Sequence, residues 1–126
     1  MSFRPKYIVD SSSEVLSFRP YSRVLTEMSP SRFLSIVPPN AEHEPSLLKV
    51  RERLSGGRPL DPLFVDVDVD RGVIMNHEGR HRAKAAHDLG VEKIPVVVFA
   101  RAANSQFVPL KKLNEKQRQN LDRFVS

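Results

Sequence analysis

The stretch LFVDVDVDRGVIMNHEGRHRAKAAHDLGVEKIPVVVFA, residues 63–100, decides the fold. Its start alternates: Leu63, Val65 and Val67 fall on one side of an extended chain and Phe64, Asp66 and Asp68 on the other, as in a half-exposed strand. Asp70, Arg71 and Gly72 have turn chemistry, and residues 73–75 return as a second strand, so a β-hairpin is expected. From Arg80 the chain is rich in helix formers as far as Gly90, a residue suited to the left-handed position just beyond a helix end. Residues 94–100, IPVVVFA, form the continuous apolar run typical of a strand covered on both faces.

Working outward, Ser29 can cap a helix that Pro30 begins; Phe33, Leu34 and Val37 share one face, and Pro38-Pro39 stops it. A second helix is expected over 45–54, with Leu47, Val50 and Leu54 as its apolar stripe and Gly56-Gly57 as its end. Near the C-terminus, Leu113, Gln117, Leu121 and Phe124 line one side of an otherwise charged helix. Short strands are also readable at 7–9 and 24–25. The expected fold is α/β, a single domain with a small mixed sheet flanked by helices. Its divisions are an N-terminal arm or edge element (1–25), a core (26–100) and a basic C-terminal helical segment (101–126).

Composition narrows the chemistry. The chain has 126 residues, of which 40% are hydrophobic, enough for one core. It has no cysteine, which excludes disulfides, thiolate metal sites and cysteine nucleophiles. No apolar run approaches the roughly 18 residues of a membrane span, and the N-terminus lacks a signal-peptide core, so a cytoplasmic protein with no membrane partner is expected. The net charge of +5 is concentrated at the ends: +2 over 1–40, −1 over 41–100 and +4 over 101–126. Lys111, Lys112, Lys116 and Arg118 are therefore candidate contacts to DNA or RNA, although a solvated helix face has the same composition.

The strand-to-helix turn, residues 77–82, is the candidate site. At about 100° per residue, Ala83, Ala85, Ala86 and Leu89 face the sheet, while Arg80, Lys84 and His87 point to solvent. Arg82 falls in the apolar sector, where a permanently charged guanidinium needs an anion or carbonyl oxygens. Helix N–H groups, Gly79, which lets a ligand approach the backbone, and the arginines together suit phosphate. The bland alternative is a salt bridge from Arg82 to Asp66, Asp68 or Glu78. His77, Arg80 and His81 are candidate rim contacts. Glu78 is the candidate catalytic carboxylate, able to accept a proton or face a divalent cation. His77, Glu78 and His81 have the residue types of a zinc-protease motif in the wrong order, with a glycine break between the histidines. Asp66 and Asp68 are candidate magnesium ligands beside a phosphate, though such a row is more often a strand's solvated side, and Asp70 belongs to the turn.

The segments PLDPLFVDVD, VIMNHEGRHRAKAA and LGVEKIPVVV, spanning 59–98, resemble the ParB/sulfiredoxin superfamily. Glu78, Arg80, Arg82 and Ala83 match the Gly-Glu-Arg-Arg-x-Arg-Ala-Ala signature of ParB proteins, with Gly79 in place of an arginine. Gly79, His81 and Arg82 match the Gly-x-His-Arg form of sulfiredoxins and related free-serine kinases. The resemblance implies a nucleoside triphosphate with its phosphates on Arg82 and the backbone after Gly79. It departs from sulfiredoxin, whose catalytic cysteine position is Arg80 here, and chromosome-partitioning ParB activity is not expected, since these 126 residues leave no room for DNA-reading and dimerisation domains beside the core. The expectation is a compact stand-alone member of the phage or plasmid type, in which triphosphate hydrolysis or phosphotransfer with magnesium would run through Glu78. Two alternatives stay open: a non-catalytic protein that engages nucleic acid or a nucleic-acid enzyme through basic termini, and a metal-dependent DNA nuclease.

Overall fold

A computed structural model describes residues 5–38, 52 and 59–125. Within them the chain is mixed α/β: a four-stranded sheet in the order β1-β4-β2-β3 with four α-helices and two short 3₁₀ turns. The strands are β1 (Arg23–Met28), β2 (Leu63–Asp68), β3 (Val73–Glu78) and β4 (Ile94–Arg101). The helices are α1 (Glu14–Ser17), α2 (Pro30–Ile36), α3 (Arg80–Asp88) and α4 (Glu115–Asp122). β2 lies parallel to β4 and antiparallel to β3, and β1 runs antiparallel to β4, so the sheet is mixed as expected.

The central strands show why 63–100 was legible. Side chains of β4 alternate between two covered faces. Val96, Val98 and Ala100 join Val65, Val67, Ala83, Ala86 and Phe33 in the main core beneath α2 and α3. Val97 and Phe99 join Leu16 of α1 in a second cluster on the opposite face. Each such fully buried Val, Leu or Phe contributes roughly 1.5–3 kcal/mol relative to exposure. α2 begins as anticipated, with the Ser29 side chain accepting the Arg32 N–H and Pro30 in the first turn. α3 ends in a Schellman arrangement: Gly90 has φ of +75°, its N–H donates to His87 O, and the Val91 N–H donates to Ala86 O. The helix expected over 45–54 lies outside the described residues apart from Glu52.

Several expectations need correction. β3 runs three residues beyond 75, because Asn76, His77 and Glu78 continue to pair with Asp66, Val65 and Phe64. It also carries a bulge opposite Asp66/Val67, with Met75 as the extra residue. The bulge shifts the phase, so Ile74 opposes Val67 on the main-core face whereas Asn76 opposes Asp66 on the other. Of the two readings of the N-terminal segment, arm or edge element, the second fits, since β1 is an edge strand of the sheet. Leu16 is buried against Val97 and Phe99, Tyr7 bridges Leu60, and β1 begins at Arg23, so a division at residue 25 cuts a strand. The apolar side expected of the C-terminal helix packs on the body, with Leu121 and Phe124 in the main core. The helix starts only at Glu115, where Asn114 and Gln117 form a capping box, and Lys111 and Lys112 sit in a 3₁₀ turn before it. Gln117 is thus a cap rather than a packing residue.

Candidate functional site

The alternation of β3 divides the turn's chemistry between the two faces of the sheet. His77 pairs with Val65 on the main-core face, and Asn76 and Glu78 pair with Asp66 and Phe64 on the other. The residues that the sequence groups as one cluster are therefore separated by the sheet itself. Glu78 is exposed and His77 half-buried. Burial, then the nearby Arg80 guanidinium, holds the His77 imidazole below its ordinary pKa, with Glu78 pulling weakly the other way. His77 is accordingly neutral at neutral pH.

Gly79 adopts φ of +112°, and a Cβ built there would lie 2.4 Å from Leu63 Cγ. The space beside this glycine is filled by the first residue of β2. The expectation that Gly79 makes room for a ligand is corrected: it makes room for Leu63, letting the turn close onto the sheet. The helix that follows presents its early N–H groups at the same end, with no side-chain cap on Gly79.

Arg82 and Arg80 are both half-buried. Arg82 is half-buried, consistent with its inward phase, and its Nη1 donates a 2.6 Å hydrogen bond to the backbone carbonyl of Asp61. A backbone carbonyl, one of the two kinds of partner an inward-facing guanidinium needs, is thus among those Arg82 meets. The Asp61 carboxylate in turn accepts from Ser13 Oγ at 2.7 Å, and Ser13 caps α1. Arg80, expected in solvent, is half-buried, and its Nη1 is shielded from water with no hydrogen-bond partner among the described residues. A buried guanidinium nitrogen left in this state costs about 1–3 kcal/mol or more, which a bound anion would offset. His81 is half-buried on the same first turn, while His87 is exposed as expected.

The acidic row is not solvated. Asp66 and Asp68 are each only 3% exposed. Asp66 accepts from Arg101 Nη1 at 2.7 Å and Asn76 Nδ2 at 3.5 Å, both on Oδ2. Asp68 Oδ1 takes the N–H groups of Asp70 and Arg71, closing the hairpin turn, and Oδ2 faces Arg71. Both oxygens of Asp68 and the Oδ2 of Asp66 are engaged by protein partners, which does not fit a magnesium site as it stands. No group of three or more His, Asp or Glu able to hold a metal occurs among the described residues. Asp70 holds the turn against the C-terminal segment: Oδ2 accepts the Ala103 N–H and Oδ1 accepts from Gln117 Nε2, which lowers its pKa.

Lys111, Lys112, Lys116 and Arg118 are all exposed on the 3₁₀ turn and α4, with Arg118 also donating to Leu110 O. Residues that sequence reasoning missed are Tyr7, whose buried hydroxyl has no hydrogen-bond partner among the described residues and whose pKa is raised by burial, with Arg82 acting in the opposite direction, and Arg101. Neither carries a local signal. Tyr7 reaches α3 only through its bridge to Leu60, and Arg101 meets Asp66 only because β2 and β4 are parallel neighbours. No family model, curated protein or solved structure matches the chain. No described helix is long and apolar enough to cross a membrane.

Proposed function

We propose that the protein binds a nucleoside triphosphate through the β3–α3 turn, as a ParB/sulfiredoxin-like domain of the kind used by mobile genetic elements. One observation carries this: an Arg80 guanidinium nitrogen in the first turn of α3 is shielded from water and has no hydrogen-bond partner among the described residues, while the helix start has no side-chain cap and the Arg80 charge acts on a neutral His77. An anionic oxygen would satisfy that nitrogen and the helix N–H groups together. The order of strand, glycine turn and Ala-rich helix, and the matches at Glu78, Arg80, His81 and Arg82, support the same reading. The role expected of Arg82 passes to Arg80, because the Arg82 fork is partly taken up by Asp61.

The geometry favours binding over hydrolysis. Glu78 points to the face opposite His77, and the acidic row does not offer a magnesium site, so magnesium would arrive with the triphosphate. Calorimetry with ATP, CTP and GTP, each with magnesium, tests the proposal. Binding that is lost in Arg80→Ala supports it; absence of binding, or binding unchanged by Arg80→Ala, refutes it.

A second reading rests on the four exposed cations of the C-terminal segment, which suit a nucleic-acid backbone. Truncation would remove core residues Leu121 and Phe124, so the sound test is the triple variant Lys111→Glu, Lys112→Glu, Lys116→Glu. Affinity for DNA or RNA that falls steeply with salt and collapses in this variant supports the reading, and a flat salt response contradicts it.

A further inference from the structure

On the sheet face away from α3, a cavity of about 540 Å³ opens between Phe18, Phe64, Phe99 and Phe107, with Asp66, Asn76 and Arg101 among its lining residues. Its size and its apolar wall with a few converging polar groups are those of a small-molecule site. The rings are held edge to face, with Phe64 and Phe99 5.8 Å apart and Phe18 and Phe107 5.3 Å apart between centroids, so each wall has a fixed orientation. Phe18 is 49% exposed although it belongs to this cluster. Arg101 lies 4.8 Å from the centre of the Phe107 ring while pairing with Asp66, and Arg19 stacks over Phe18 and Phe107.

The charges decide the ligand class. The lining holds two acids, Glu14 and Asp66, and one guanidinium, Arg101; with Arg19, which stacks on the Phe18 and Phe107 rings from outside that lining, the charges balance. At the polar end, both contacts to Asp66 fall on Oδ2, so Oδ1 is left to accept a hydrogen bond. Asn76 Nδ2 reaches Asp66 only at 3.5 Å, a long and weak bond, and can donate elsewhere. An acceptor next to a donor is the complement of a ring –NH–CO– edge.

We infer that this cavity binds a neutral, planar heterocycle with a lactam edge, of the nucleobase class found in hypoxanthine, guanine and uracil. The rings stack against the base, Asp66 Oδ1 accepts the ring N–H, and Asn76 Nδ2 donates to the adjacent carbonyl. Adenosine and cytidine lack this edge in their neutral forms, cytidine because its N1 bears the ribose, so the site discriminates against these nucleosides. The bulge at Met75 creates it, since without the phase shift Asn76 would share a face with Ile74.

The test uses nucleosides, which carry no phosphate, so its outcome is independent of the triphosphate site on the other side of the sheet. Inosine, uridine, adenosine and cytidine are titrated into the full chain while the ring resonances of Phe18, Phe64 and Phe107 are followed by NMR. Inosine and uridine should shift those resonances and bind about tenfold tighter than the other two. Asn76→Ala, at an exposed strand position, should abolish the preference, and Phe18→Ala should weaken all four. The inference is overturned if no nucleoside shifts these rings, if the four bind alike, or if the preference survives Asn76→Ala.

Discussion

Arg82 Nη1 and the backbone carbonyl of Asp61 lie 2.6 Å apart, a hydrogen bond that joins the first turn of α3 to the segment leading into β2. Through its carboxylate the same Asp61 holds Ser13, the cap of α1. One residue thus links three parts of the chain that are far apart in sequence. The consequence for function is that Arg82 is a structural member of the site's scaffold as well as a neighbour of the turn.

Replacing Arg82 by Ala should therefore destabilise the protein by about 1–2 kcal/mol in the absence of any ligand, the usual effect of losing a charged donor to a part-buried carbonyl. Urea denaturation of the apo protein measures this. An apo stability equal to wild type would mean that the bond to Asp61 contributes nothing.

Gly79→Ala should be more damaging. The added Cβ meets Leu63 at 2.4 Å and must adopt φ of +112°, so crowding and backbone strain act together. A loss of about 2–4 kcal/mol is expected. The thermal midpoint should recover in part when Leu63→Ala is added, despite the lost burial, because the space is returned. No recovery would assign the cost to φ alone.

Arg101 and Asp66 form a largely buried pair, with side chains 22% and 4% exposed. Arg101→Met alone should cost about 1–3 kcal/mol, because the largely buried Asp66 carboxylate loses its cation. The double variant Arg101→Met, Asp66→Leu should be closer to wild type than that single change. Additive losses in the double-mutant cycle would show that the two do not interact.

His77 supplies a pH test. Its imidazole is held below its ordinary pKa in the folded protein, so the unfolded chain takes up a proton first as pH falls. Stability should decline as pH drops through about 6.5 and level off below the folded-state value. His77→Gln should flatten that part of the profile. Binding of a triphosphate at the turn should raise the His77 pKa, read from its ring proton shifts, because a nearby anion favours the imidazolium.

Much of this was legible in the sequence where local chemistry decides the outcome. The alternation of 63–68, the run of 94–100, the Ser29-Pro30 start and Gly90 end each act within a few residues, and each holds. What escaped is non-local. Asp66 looks solvated by alternation alone, yet the parallel pairing of β2 with β4 brings Arg101 beside it and α1 covers that face. The bulge at Met75 has no sequence mark, and it moves Asn76 onto the aromatic face. Arg82 was rightly singled out by helical phase, but phase cannot say whether the partner is an anion or a carbonyl. Asp61 answers it from outside the motif. Arg80 was placed in solvent because an idealised wheel describes the helix alone and ignores what the neighbouring turn and strand cover in its first turn.

The most direct test of the central claim is an NMR titration of wild type and Arg80→Ala with inorganic triphosphate and magnesium, following the amides of Gly79, Arg80 and His81. Saturable shifts confined to this turn in wild type, absent in a folded Arg80→Ala protein, are the predicted result. Unmoved turn amides in wild type, or the same shifts in both proteins, would contradict a phosphate site built on Arg80.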